Sequence, residues 1–175
     1  MAILTVLTEP DPRLRIKSAP VTNINSALHT HIQNMQDTLV HEEGFALAAP
    51  QVGITKRVVV FDMFGLEPEE THDKRFLCMI NPEIVWRSGT SCGVEEGCLS
   101  IPALRIYIDR DAHIRVSFLT PEGTQETLET RDIFAICIQH EIDHLDGVLI
   151  IDYLSHLRKN IAQRKLAKIK KELNG

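Results

Sequence analysis

The chain has 175 residues, of which 43% are apolar and 25% charged, with a formal net charge of −5. These values predict an ordinary soluble globular protein with one domain, residues 1–175, and a sizeable core. No apolar run approaches the ~20 residues of a membrane span, and the N-terminus lacks the features of a signal peptide. We therefore expect a cytoplasmic protein with reduced cysteines and neither a membrane nor DNA as partner.

The N-terminal third is predicted to contain a surface lead-in followed by a helix. Two prolines in Glu9–Pro12 are incompatible with a helix interior. Apolar residues at helical spacing predict a helix from Ser26 to Glu43, which Asn25 or Ser26 caps and Gly44 ends.

Short apolar segments then predict strands. Arg57–Met63 and Phe76–Ile80 are expected to be buried strands, with a polar, acidic loop at residues 65–74 between them. Asn81-Pro82 is expected to break the chain before Ile84–Trp86.

Alternating apolar and polar residues predict half-exposed strands at Arg105–Asp109 and His113–Leu119, followed by a turn at Pro121–Gly123. The strands are clustered rather than alternating with helices. This order predicts an α+β fold with antiparallel β-sheet.

The segment Gln139–Gly147 has two histidines four residues apart, with a glutamate directly after the first. On a helix, His140 and His144 lie on one face and can reach a single metal ion. Glu141 lies about 100° round the helix, near enough to hydrogen-bond a water at that metal. This pattern is typical of zinc-dependent hydrolases that use the carboxylate as general base. The apolar residues 133–138 predict that the helix is buried.

Residues 153–175 form a basic C-terminal segment with a charge of +6, which leaves −11 on the rest of the chain. We interpret it as a surface helix over about Leu154–Leu173 that packs an imperfect apolar stripe on the domain. A docking surface for RNA or the ribosome is the alternative. The stripe consists of Leu154, Leu157, Ile161, Leu166, Ile169 and Leu173.

A catalytic metal site usually has three protein ligands, so the two histidines need a third. Cys98 in Glu95–Ser100 is the best candidate, because Gly97 allows close backbone approach and a thiolate suits Fe(II), Zn or Co. Catalysis by Cys98 as a nucleophile is another possibility, but no activating group lies near it in sequence. A closed structural zinc site that also includes Cys137 is a further alternative, although it gives Glu141 no role.

Small residues dominate Gly44–Gly53, which contains one amide side chain, Gln51. Such a segment lets another backbone or an extended ligand lie alongside it. A tight turn packed under the sheet would have the same composition.

Together, these three segments resemble the motifs of peptide deformylase: G-x-G-x-A-A-x-Q, then E-G-C-L-S, then Q-H-E-x-D-H. Here they are Gly44–Gln51, Glu96–Ser100 and Gln139–His144, and the resemblance covers essentially the whole chain. It implies antiparallel sheets around a central metal-binding helix. It also implies removal of the formyl group from the N-terminal methionine of newly synthesised bacterial or organellar proteins, with N-formylmethionyl nascent peptides as substrates. A bacterial cytoplasm is the expected location.

The resemblance also implies roles for individual residues. One divalent metal ion per chain is expected, Fe(II) in the cell, with nickel, cobalt or zinc as possible substitutes. The expected ligands are Cys98, His140 and His144. The expected catalytic residues are Glu141 as acid and base, with the Gln51 side chain and the Leu99 backbone N–H stabilising the oxyanion.

The methionine side chain requires an apolar pocket, and Arg105 is a candidate for holding the peptide backbone or a carboxylate. Gly97 and Ala46 are expected to lie against the substrate. The candidate pocket residues, which neighbour the motifs, are Phe45, Val94, Ile133, Ile136 and Cys137.

Ala46 departs from the family pattern, which usually has glycine at this position. If that position requires positive φ or the closest substrate contact, the added Cβ lowers peptide affinity or rate. A weakened or specialised paralogue is therefore one alternative. A metalloendopeptidase is another, with its third ligand among Asp146, Asp152, His156 and Glu172. A non-catalytic, ribosome-associated module with a structural zinc is the third alternative.

Overall fold

The structure is a computed structural model that describes residues 2–63 and 75–173, with side chains described as far as residue 171. The loop expected at residues 65–74 lies outside the described residues. The helices are α1 (Ser26–His41), α2 (Asp132–Leu145) and α3 (His156–Leu173). The strands are β1 (Ala46–Ala48), β2 (Val58–Asp62), β3 (Phe76–Arg87), β4 (Ser91–Cys98), β5 (Ile101–Asp111), β6 (His113–Leu119) and β7 (Gln125–Arg131). Three 3₁₀ turns lie at Pro12–Arg15, Ala49–Val52 and Ile150–Tyr153.

Both sheets are antiparallel, which confirms the predicted α+β class. The larger sheet has the strand order β1-β2-β3-β6-β7, and β4 and β5 form a separate two-stranded sheet. Among the strands of the described residues, β1 pairs with β2 alone, so it lies at the edge of the larger sheet.

The predicted break at Asn81-Pro82 is wrong, because β3 continues through it. The register to β6 shifts between Ile80 and Glu83, and Asn81 takes a φ of 52°. The Asn81 side chain donates to the Val21 carbonyl (2.9 Å) and accepts from its N–H (2.8 Å). These contacts hold a β-bulge, which bends the strand without ending it.

Helix α1 begins as predicted, since the Asn25 side chain accepts a hydrogen bond from the Leu28 N–H at 3.0 Å. It ends at His41, two residues before the predicted end, and Glu43 adopts a φ of 51°. Its apolar face, including Met35 and Leu39, packs in a core cluster with β1 and β2.

Helix α2 contains the predicted metal motif and is largely buried. Ala135, Ile138 and Leu145 pack in a second core cluster with β2, β3 and β6. The helix ends before Gly147, which has a φ of 77°. A Cβ at Gly147 would lie 2.5 Å from the Arg15 carbonyl oxygen, so the lead-in segment packs tightly under the helix end.

Helix α3 buries Ala162 and Leu166 in a third core cluster with β5. The predicted stripe is wrong at Leu157 and Ile161, which are 70% and 57% exposed. Among the helices in the described residues, none has the length and apolar character needed to cross a membrane.

Candidate metal centre

Cys98, His140 and His144 are brought together at the end of β4 and on one face of α2. Their ligand atoms all lie within 4.8 Å of one another, and Cys98 Sγ is 3.2 Å from His144 Nε2. Ligands of a tetrahedral metal with N and S donors lie roughly 3.3–3.8 Å apart. The three side chains therefore fit one small divalent cation.

Glu96 fixes the orientation of the His140 ring. The His140 Nδ1 lies 2.7 Å from Glu96 Oε2, and both side chains are buried. Because Nδ1 donates to the carboxylate, Nε2 is the nitrogen left to bind a metal. Burial alone would raise the pKa of Glu96, but hydrogen bonds from His140 and Arg110 hold it below its usual value.

The sequence alone does not single out Glu96, although it precedes Cys98 by two residues. The two-residue spacing is the one indication in the sequence. In a β-strand, residues two apart point to the same face, so the side chains of Glu96 and Cys98 can both contact the same neighbouring element. Both side chains do face α2, where Glu96 contacts His140 and Cys98 contacts His144.

Glu141 is buried, with 5% of the residue exposed. Within the described residues, its Oε2 atom is buried without a hydrogen-bond partner. Burial is the main cause that raises the pKa of Glu141 to about 7. A buried polar atom without a partner is costly, so this oxygen is suited to a ligand or water. Burial also holds the pKa of His144 well below its usual value, which favours the neutral imidazole that binds metals.

Gln51 directs an amide N–H₂ group toward the metal ligands. Its Nε2 lies 3.7 Å from Cys98 Sγ and donates to Ser100 Oγ at 3.2 Å. Leu99 follows Cys98 at the turn between β4 and β5, so its backbone is adjacent to the ligand.

The residues proposed to contact the substrate differ in their contacts and in their exposure. Phe45 packs edge-on against Phe134 with ring centroids 6.1 Å apart. Arg105 lies across Gly97, since its Nη1 would be 3.8 Å from a Cβ at that position. Val94 on β4 is half-buried, whereas Ile133, on the first turn of α2, is 55% exposed.

Cys137 stays outside the ligand group. It is not among the described side chains whose ligand atoms lie within 4.8 Å of one another. Burial raises the pKa of its thiol to about 12, so the thiolate needed for a metal bond is disfavoured. The closed four-ligand site is therefore not supported. Cys137 and the buried Ile136 instead lie on the helix turn before the ligands.

Ala46 shows no backbone strain, because it is not among the described non-glycine residues with positive φ. It pairs with Phe61 across β1 and β2, and its side chain packs in the second core cluster. The concern about a positive φ at this position is therefore removed.

The acidic residues after His144 are engaged elsewhere. Asp146 accepts a hydrogen bond from Arg57 at 2.8 Å, and Asp152 pairs with Arg15 and Lys159. His156 lies at the start of α3, and the Glu172 side chain is outside the described residues. The third-ligand pattern of a metalloendopeptidase therefore finds no support here.

Comparisons with known proteins agree with this geometry. The family model described as Polypeptide deformylase matches residues 3–160. Peptide deformylase 1 of Shewanella oneidensis is 45% identical over 172 residues, which cover 98% of each chain. The crystal structure of a peptide deformylase from Legionella pneumophila is 38% identical with a TM-score of 0.90, covering 99% of this chain and 98% of that one. A peptide deformylase from Ehrlichia chaffeensis, crystallised with actinonin, is 35% identical with a TM-score of 0.87, covering 96% and 98%. This chain belongs to the peptide deformylase family.

Proposed function

We propose that the chain acts as one catalytic domain that hydrolyses the N-formyl group of N-formylmethionyl peptides and releases formate. The observation that carries this proposal is the Cys98, His140 and His144 cluster, with the carboxylate of Glu141 buried beside it. Family membership supplies the reaction, and the geometry supports the assignment of roles to residues.

Cys98 Sγ, His140 Nε2 and His144 Nε2 would hold one divalent cation. When bound, the cation supplies Lewis acidity, which polarises a carbonyl group and lowers the pKa of water toward ~7. We assign Fe(II) as the ion in the cell, with nickel, cobalt or zinc as substitutes, since a mixed thiolate and imidazole set accepts all four.

Glu141 accepts a proton from the attacking water as the water oxygen bonds to the formyl carbon. The Gln51 amide and the Leu99 N–H donate to the formyl oxygen as negative charge develops there. Glu141 then returns the proton to the nitrogen as the C–N bond breaks. The products are formate and a peptide with a free amino terminus.

Strand β1 is suited to hold the peptide. Its side opposite β2 has no strand partner in the described residues, and an extended peptide can add to such an edge. Phe45, Ile136 and Cys137 contribute apolar surface for the methionine side chain, with Val94 and Ile133 at the periphery. Arg105, lying across Gly97, is placed to bind the peptide backbone or a carboxylate.

Hydrolysis of formyl-Met-Ala-Ser tests this proposal. Protein purified anaerobically with Fe(II), or with nickel, should release formate. Glu141→Gln should release none while keeping one metal per chain, and Glu95→Gln, on the exposed face of β4, should match the wild type. No formate from a wild-type chain that holds one metal would overturn the assigned reaction.

Helix α3 combines basic residues with exposed Leu157 and Ile161, a surface suited to ribosomal RNA and protein. We assign it to ribosome association in a bacterial cytoplasm, where formylated nascent chains are made. Arg164→Glu with Lys165→Glu should reduce co-sedimentation with ribosomes, whereas Lys56→Glu with Arg131→Glu should not. Equal co-sedimentation of both double variants would remove this assignment.

A further inference from the structure

We propose that Tyr153 is a positioning residue for the metal centre, because its hydroxyl holds in place the charged side chains that orient His140. This inference rests on the proposed metal site and adds a residue that no motif includes. It concerns the hydrogen bonds that link α2 to β4 and β5 next to the ligand cluster.

The contacts begin at His140, whose Nδ1 lies 2.7 Å from Glu96 Oε2. Arg110 binds the same carboxylate with two nitrogens, Nε to Oε1 and Nη2 to Oε2 at 3.0 Å. A bidentate arginine fixes the plane of a carboxylate as well as its position. The orientation of the His140 ring therefore depends on where the Arg110 guanidinium is held.

Asp143 holds the other side of that guanidinium. Its Oδ2 accepts hydrogen bonds from Arg110 Nη1 at 2.8 Å and from the Tyr153 hydroxyl at 2.7 Å. Asp143 lies on α2, three residues after His140. The contacts therefore form a closed ring that passes from α2 through β4 and β5 and returns to α2.

Tyr153 covers part of this ring on its solvent side, and Tyr153 is itself 47% exposed. Its aromatic ring centroid lies 5.1 Å from Arg110 Cζ, and its oxygen is 3.4 Å from Arg110 Nη1. An open pocket of about 290 Å³ reaches Arg110, Asp143 and Tyr153 from outside. The Asp143 side chain is 25% exposed, whereas that of Arg110 is 4% exposed. Without the hydroxyl, water from the pocket would compete for Asp143 and loosen its hold on Arg110.

Tyr153 is itself held firmly. It ends the 3₁₀ turn Ile150–Tyr153, in which the Asp152 side chain caps the turn by accepting from the Leu149 N–H at 2.8 Å. Arg15 and Lys159 also pair with Asp152. The hydroxyl is therefore presented from a fixed backbone, as a positioning role requires.

Tyr153→Phe removes only the hydroxyl and keeps the aromatic ring over Arg110. Replacing a residue that directly supports a metal ligand typically costs 10–100-fold in metal affinity or activity. Tyr153 acts on Glu96 only through Asp143 and Arg110. We therefore expect a smaller effect, a rise of about 3–10-fold in the dissociation constant for Co(II). Tyr107→Phe is the matched control, because Tyr107 is the other of the chain's two tyrosines and is 64% exposed on β5.

The full chain would be loaded with Co(II), and the ion then removed by titration with a competing chelator. We expect Tyr153→Phe to weaken binding and to shift the visible absorption bands of the Co(II) protein, with Tyr107→Phe unchanged in both. Asp143→Asn should weaken binding at least as much as Tyr153→Phe.

A purely structural role predicts a different result. Tyr153→Phe would then lower the melting temperature of the metal-free protein but leave the Co(II) affinity and spectrum as in the wild type, which would overturn the inference. Failure of the wild type to bind Co(II) would instead overturn the proposed metal site itself.

Discussion

The Gln51 Oε1 accepts a hydrogen bond from the backbone N–H of Ala48 at 2.8 Å. This contact fixes the orientation of a side chain that is only 2% exposed. Because the oxygen is engaged with the backbone, the amide nitrogen must face Cys98 and Ser100. The donor proposed for the oxyanion is thus oriented before any substrate arrives, which is where such donors contribute most to catalysis.

Gln51→Glu should lower kcat about 10²–10³-fold, the usual effect of removing one oxyanion donor. Glutamate can still accept from Ala48, but its carboxylate cannot donate to the formyl oxygen. Steady-state kinetics with a formylated peptide and metal analysis check this, with Gln33→Glu on the exposed side of α1 as the charge control. A kcat within threefold of the wild type would show that Gln51 is not the donor.

Cys98→Ala should lose most of its bound metal, because one of three ligands is removed. Cys92→Ala is the matched control, since Cys92 lies on the same strand but outside the ligand group. Metal content after dialysis, measured by atomic emission, distinguishes the two variants. Retention of one tightly bound ion by Cys98→Ala would remove Cys98 from the ligand set.

Ala46→Gly should destabilise the protein by roughly 0.5–1 kcal/mol, because glycine in a strand loses more backbone entropy on folding than alanine. Since Ala46 has no positive φ, the glycine relieves no strain. We expect kcat/KM to change less than threefold. Urea unfolding measures the change in stability, and kinetics with a formylated peptide measure kcat/KM. An increase in kcat/KM above tenfold would show that the Cβ obstructs the substrate.

Asp152→Asn should lower the free energy of unfolding at pH 7 by about 1.5–3 kcal/mol, the range for hydrogen bonds to a charged group. Burial alone would raise the pKa of Asp152, but hydrogen bonds from Lys159, the Leu149 N–H and Arg15 hold it below its usual value. The carboxylate therefore contributes stability above its unfolded pKa, and this contribution is lost as pH falls through the lower folded pKa.

Urea unfolding at pH 7 and pH 3 should consequently give a smaller difference between Asp152→Asn and the wild type at the lower pH. Asp109→Asn, exposed on β5, serves as the control. An equal difference at both pH values would mean that the charge of Asp152 does not contribute.

The metal helix and strand β6 could be predicted from the sequence because their side-chain periodicity has one interpretation. Strand β7 could not, since Gln125–Arg131 is mostly polar and exposed and lies at the sheet edge. The bulge at Asn81 was also hidden, because a proline after asparagine more often ends a strand. The contacts that hold the bulge come from Val21 and Arg57, 60 and 24 residues away in sequence, so no local pattern reveals them.

The candidate site likewise has residues that the sequence predicts and residues that it does not. His140 and His144 follow from motif spacing and Cys98 from the resemblance to the family motif, and the structure brings the three together. Arg110 and Tyr153 do not, and Glu96 does so only weakly, since their contacts span 10 to 44 residues of sequence. Hydrogen bonds between charged groups on three elements require the folded chain.

A bond between Cys98 and a metal would join two sheets that share no backbone ladder in the part of the chain that the structure describes. Cys98 belongs to the β4-β5 hairpin, while both histidines lie on a helix packed against the five-stranded sheet. A bound ion would therefore cross-link the β4-β5 hairpin to the helix α2. Its binding free energy would add to the free energy of unfolding, because the ion binds the folded state. Mutations that destabilise the β4-β5 hairpin should accordingly reduce the amount of bound metal before any secondary structure is lost.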